Sequence, residues 1–103
     1  MKTKFGVSLF GLDIKMRPAL IAIGRLWRLY GKEAVITETT GGKHSDGSLH
    51  PFGLAVDVRT RYFDQQTKEK VYNGLLKALH GQQFDVVLHN THIHVEKDEG
   101  GLR

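Results

Sequence analysis

Ser48-Leu49-His50-Pro51-Phe52-Gly53-Leu54-Ala55-Val56-Asp57 and Leu88-His89-Asn90-Thr91-His92-Ile93-His94-Val95-Glu96 decide how this chain is read. Five of its six histidines, His44, His50, His89, His92 and His94, lie in or beside the two stretches. Side chains alternate across a strand with period two. Leu54, Val56 and Val58 are then expected on one face, with Ala55, Asp57 and Arg59 on the other. Ile93 and Val95 oppose His92, His94 and Glu96 in the same way. Each strand gains an apolar face for a core and a polar face rich in metal-binding groups. His50 precedes Asp57 by seven residues, the wrong parity for one straight strand. It is placed on an approach loop that Pro51 and Gly53 can bend back.

Two imidazoles and a carboxylate, with a fourth position left for water, form the ligand pattern of a catalytic zinc. The expected ligands are His50, Asp57 and His94, and one Zn2+ is the expected cofactor. A hydrogen-bonded polar cluster without metal is the plainer alternative. Such an ion lowers the pKa of bound water to roughly 7 and polarises a carbonyl.

His50 and Asp57, followed by His92-Ile93-His94, resemble the zinc D-alanyl-D-alanine peptidases, whose superfamily includes lysostaphin-type peptidases and the Hedgehog signalling domain. Gly47-Ser48-Leu49-His50 with Gly53-Leu54-Ala55-Val56-Asp57 is similar to the small phage and prophage members. The resemblance is strong over residues 44–61 and 84–96 and weak elsewhere. It implies hydrolysis of peptide bonds in bacterial peptidoglycan stem peptides, by a D-Ala-D-Ala carboxypeptidase-like or endolysin-like endopeptidase activity. It also implies that His89 and His92 sit over the metal, where either can take a proton from water or stabilise an oxyanion. An unperturbed imidazole, with pKa about 6.5, suits that task. Other members carry a Glu near this position as general base, and here His89 stands there. The base is thus open between His89, His92 and Glu96. Glu96 itself is read as a solvated edge carboxylate, with a base or orienting role as the alternative. Ser48 matches a substrate-contacting position of the motif, or caps a turn. His44 is a rim residue within reach of substrate. Arg59 either receives a peptide carboxylate or is a surface charge on an edge strand.

Bulk properties bound the rest. At 103 residues a single domain spanning 1–103 is expected, with a modest core to which a zinc site can add stability. The sequence has no cysteine, so neither disulfides nor thiolate ligands contribute. No stretch is apolar enough for a signal peptide or a membrane span. The expectation is synthesis in the cytoplasm and action at the bacterial cell wall after release or as a phage component, as a monomer. The net charge of +4 is concentrated early, where Lys2, Lys4, Lys15, Arg17, Arg25, Arg28 and Lys32 face only Asp13. Such a surface attracts polyanions, or is simply a solvated helix face.

Along the chain, residues 1–16 read as an irregular or hairpin-like lead. Pro18 opens a helix whose stripe is Leu20, Ile23, Trp27 and Tyr30, with Leu26 alongside, and Gly31 ends it. Residues 34–39 read as a strand, 40–47 as a loop, and Phe52 to Arg61 as the region of the next strand. Asp64 caps a second helix with the stripe Val71, Leu75, Leu76 and Leu79, and His80 is a capping or surface residue. Residues 84–89 and 92–97 read as a hairpin whose two-residue loop sets His89 opposite His92 and Val87 opposite His94. The expected fold class is α+β: a mainly antiparallel sheet of about four strands, helices on one face, and a zinc groove on the other, as in the Hedgehog/DD-peptidase fold. Two further functions compete with the peptidase. One is an inactive zinc-bearing binding module of the same fold. The other is nucleic-acid binding by the basic N-terminal third, which is not favoured and would show steep salt dependence.

Overall fold

The computed structural model describes residues 1–39 and 52–98. It is an α+β fold with a five-stranded sheet. The strands are β1 (Lys2–Thr3), β2 (Val35–Glu38), β3 (Ala55–Arg59), β4 (Phe84–Leu88) and β5 (His92–Lys97). Their spatial order is β1-β2-β3-β5-β4. The first pairing is parallel, with Lys2 opposite Val35, and the other three are antiparallel. The four expected strands are present. The addition is β1, at two residues too short to carry a periodic signal, held by backbone bonds from Lys2 N to Ala34 O and from Lys4 N to Ile36 O.

Helix α1 (Arg17–Leu29) follows directly from a 3₁₀ turn, Ile14–Met16, capped by the Asp13 carboxylate on Lys15 N at 2.9 Å. Pro18 sits in its first turn, where the missing N–H costs nothing. The helix ends in a Schellman arrangement: Lys32 N donates to Trp27 O and Gly31 N to Arg28 O, with Gly31 at φ 79°. Helix α2 (Gln65–Ala78) is capped as its sequence indicates, by Asp64 Oδ1 accepting from Thr67 N at 2.8 Å. Among the described residues, no helix is long and apolar enough to cross a membrane.

The core lies between the helices and one face of the sheet. Met16, Ala19, Ile23 and Trp27 meet Ile36, Val56, Val58, Ile93 and Val95, with Phe63, Val71, Leu75 and Leu79 closing it. Trp27 is fully buried, and its indole N–H donates to Arg59 O at 2.9 Å. That bond satisfies the one polar atom of a ring otherwise suited to a dry site. Two expectations change. Leu76 is 42% exposed, because α2 turns a narrower face to the sheet than its run of leucines suggests. Leu54 buries with Ala55 in a separate small cluster, because the strand and its strict alternation begin only at Ala55.

Gly53 fixes the approach to β3. Its φ is 72°, and a Cβ built on it would collide with Gly11 O. The Gly53 carbonyl accepts from Asp13 N at 2.9 Å. Only glycine permits both the left-handed backbone and this close approach. The segment leading into α1 is thereby fastened to the start of the strand that carries Asp57.

Candidate functional site

The face of the sheet turned away from the helices carries the polar residues in rows set by register. Asp57 lies opposite His94, which lies opposite Val87 on the far side. Arg59 is opposite His92, and Ala55 is opposite Glu96, which in turn faces Asp85. The hairpin register is the one the two-residue loop implies: Val87 meets His94 and His89 N donates to His92 O at 2.9 Å. Two contacts from outside hold that loop, Thr60 N to Thr91 O at 3.0 Å and Lys68 Nζ to Asn90 O at 2.7 Å.

On the other side of β3 the pairing slips. Ile36 is opposite Val58, yet Glu38 is opposite Asp57, so a bulge falls at Thr37. A bulge places two residues against one and resets the alternation. Glu38 would otherwise share the core face with Ile36; the bulge turns it toward Asp57. The Thr37 hydroxyl is 3.4 Å from Asp57 O.

His94 is the centre of the arrangement. Its Nδ1 is 2.7 Å from Asp57 Oδ1 and its Nε2 is 2.8 Å from Glu96 Oε1. The side chains of the three are only 17%, 16% and 8% exposed for His94, Asp57 and Glu96. A neutral imidazole carries one N–H and can donate to only one of these oxygens. With that proton toward Glu96, Nδ1 presents a lone pair to a carboxylate oxygen. Such a contact is favourable only with a cation on it, either a second proton or a metal ion. Burial alone lowers the His94 pKa, but hydrogen bonds and charge from Asp57 and Glu96 outweigh it and raise the pKa.

Glu96 is a correction to the sequence reading. It is 6% exposed and holds the His94 ring. β5 lies inside the sheet, between β3 and β4, so its polar face is not a solvated edge. Arg59 is likewise not on an edge, since β3 lies between β2 and β5. The alternating His94-x-Glu96 pattern was the available signal for Glu96; the neighbours that bury it are distant in sequence.

His92 Nε2 lies 3.8 Å from Asp57 Oδ2, and His92 Nδ1 lies 3.2 Å from the Thr91 hydroxyl. His89 stacks on His92, with ring centroids 4.6 Å apart and planes at 23°. The structure thus brings together Asp57, His92, His94 and Glu96, with His89 on their outer side. Beside them lies a cleft of about 240 Å³, lined by Lys4, Glu38, Asp57, Arg59, Arg61 and His92, with Thr37 and Thr91. His50, His44 and Ser48, expected as a metal ligand and two substrate contacts, lie outside the described residues.

The chain matches no protein-family model and no curated protein. Among the described residues no three His, Cys, Asp or Glu side chains converge on one point by themselves as a metal-binding group. Asp57 and His94 do have the donor chemistry of two zinc ligands, a carboxylate oxygen and an imidazole nitrogen meeting on a half-buried face. Glu96 on the second ring nitrogen stands where an outer carboxylate would orient a ligating histidine. These residues fit a divalent ion completed by a further ligand.

Proposed function

We propose that the chain is a zinc-dependent peptidase that hydrolyses peptide bonds in bacterial peptidoglycan stem peptides, of the D-alanyl-D-alanine carboxypeptidase/endopeptidase type. The observation that carries this reading is His94 held between Asp57 and Glu96, both ring nitrogens facing carboxylate oxygens. The substrate class comes from the resemblance of the two histidine motifs to that peptidase family. In this reading Asp57, His94 and His50 hold the ion. When bound, zinc supplies Lewis-acid polarisation of the scissile carbonyl and lowers the pKa of water to roughly 7.

The chain's own residues do the rest. Glu96 accepts from His94 Nε2, so Nδ1 keeps its lone pair for the ion and the ring cannot turn. His92, beside Asp57 on the same face, takes the proton from the attacking water and returns one to the leaving amine. His89 stacks on that ring and limits its swing. The fully buried strand backs, Val56, Val58, Ile93 and Val95, hold the polar faces in fixed register.

The test is digestion of purified peptidoglycan with and without a chelator, with released ends identified by mass spectrometry. Chelator-sensitive cleavage of stem peptides is expected. Zinc bound at stoichiometry with no cleavage product would instead leave a zinc-bearing binding module. A protein that neither takes up zinc nor cleaves would remove the reading altogether.

A further inference from the structure

The cleft beside the candidate site has an unusual charge distribution. Lys4 follows β1, Arg59 ends β3, and Arg61 follows it, so two separate segments of the chain bring three cations to one concavity of about 240 Å³. Its acidic residues among those described are Glu38 and Asp57, and Asp57 is engaged by His94 at 2.7 Å. Among the described residues, none of Lys4, Arg59 and Arg61 has a carboxylate within ion-pair distance; the pairs found use Met1, Lys2, His92 and His94. Like charges gathered in a concave surface repel one another and raise the local concentration of anions. Guanidinium groups match a carboxylate with two parallel N–H donors, and an ammonium adds a point charge. Thr37 and Thr91 complete the described lining.

We propose that Lys4, Arg59 and Arg61 form a carboxylate subsite that anchors an acidic peptide segment next to the scissile bond. Among the described residues, Glu38, turned into the cleft by the bulge at Thr37, leaves it with one anionic and three cationic side chains apart from Asp57. The subsite therefore selects ligands with a free carboxylate over neutral ones. Its place against Asp57 and His92 puts the bound carboxylate adjacent to the reacting groups. That it serves a peptide substrate rests on the peptidase reading above; that it binds carboxylates does not. The carboxylate can be a chain terminus or an acidic side chain, and the choice decides whether cleavage is terminal or internal.

The full-length, ¹⁵N-labelled protein is titrated with acetyl-D-Ala-D-Ala, with its C-terminal amide, and with acetyl-D-Ala-D-Glu amide. Amide shifts near Lys4, Arg59 and Arg61 give Kd for each. At least one free-carboxylate probe is expected to bind roughly tenfold or more tightly than the neutral amide, the worth of a charge-assisted hydrogen bond. Arg61→Gln and Lys4→Gln are each expected to erase most of that preference, with Arg61→Lys recovering part of it. Preference for the terminal acid indicates a chain terminus; binding of the glutamate amide indicates a side chain. Equal Kd for all three probes, or a preference untouched in both glutamine variants with native spectra, would overturn the subsite. Peptidoglycan cleavage measured on the same preparation separates the two failures. Carboxylate preference without cleavage sinks the peptidase and keeps the subsite, and cleavage without preference does the reverse.

Discussion

Replacing Glu96 tests the centre of the site. Glu96→Ala removes the acceptor facing His94 Nε2 at 2.8 Å, between side chains only 17% and 8% exposed. Water cannot readily take its place in the interior of the sheet, so the ring N–H loses its partner. A hydrogen bond to a charged group contributes about 1.5–3 kcal/mol net, and a loss of about 2 kcal/mol is expected. For a domain of this size that lowers Tm by roughly 10 °C. Glu96→Gln keeps an acceptor of the same reach and loses only the charge, so its stability should change by less than about 1 kcal/mol. Its zinc affinity should nevertheless fall about tenfold to a hundredfold, the usual effect of altering a carboxylate behind a ligating histidine. Thermal melts followed by circular dichroism give the first quantity, and competition with a chromophoric chelator gives the second. A Gln variant that holds zinc as tightly as the parent, together with an Ala variant that melts with it, would refute the orienting role.

Three further outcomes are expected. Gly53→Ala combines a left-handed backbone with a collision on Gly11 O and should cost about 2 kcal/mol or more; Gly6→Ala, at φ 84° with nothing within 4 Å, should cost only about 1 kcal/mol, and urea titrations of the two would read the difference. His92→Gln should lower kcat about a hundredfold or more with zinc retained, whereas His89→Gln should have the smaller effect, since His89 reaches the site through the His92 ring; peptidoglycan turnover on zinc-quantified protein would reverse the assignment if the order came out inverted. The Asp64 carboxyl is held below its ordinary pKa, chiefly by its hydrogen bonds with Thr67. A depressed carboxylate stabilises the fold above its unfolded pKa and loses that contribution as pH falls through its folded pKa. The stability advantage of the parent over Asp64→Ala should therefore close under acid, and a pH series of urea unfolding in which it stays constant would contradict the cap.

Local periodicity carried much of this structure. Alternation from Val56 to Arg59 and from His92 to Glu96 separated core from site faces, and the spacing of His89 and His92 set the hairpin register found in β4 and β5. The Asp64 cap and the burial of Trp27 also follow from residue type and position. What was not legible depends on which strands become neighbours. Glu96 reads as solvated until β4 and β3 close over both sides of β5. Glu38 has the parity of a core residue until a bulge at Thr37 reverses it. Lys4 and Arg61 carry no motif at all; Lys4 joins the cleft only because β1 pairs with β2 at the side of β3, and Arg61 because it directly follows β3.

Trp27 is the sole tryptophan of the chain, and its indole N–H grips the backbone of Arg59, two positions beyond Asp57. The molecule thus contains its own optical probe. Intrinsic emission, blue-shifted by a dry environment and sensitive to that one hydrogen bond, reports on the strand bearing the carboxylate without any label. Ligand uptake that tugs β3 will alter its intensity or lifetime, while events confined to the outer face of α2 will leave it dark to change.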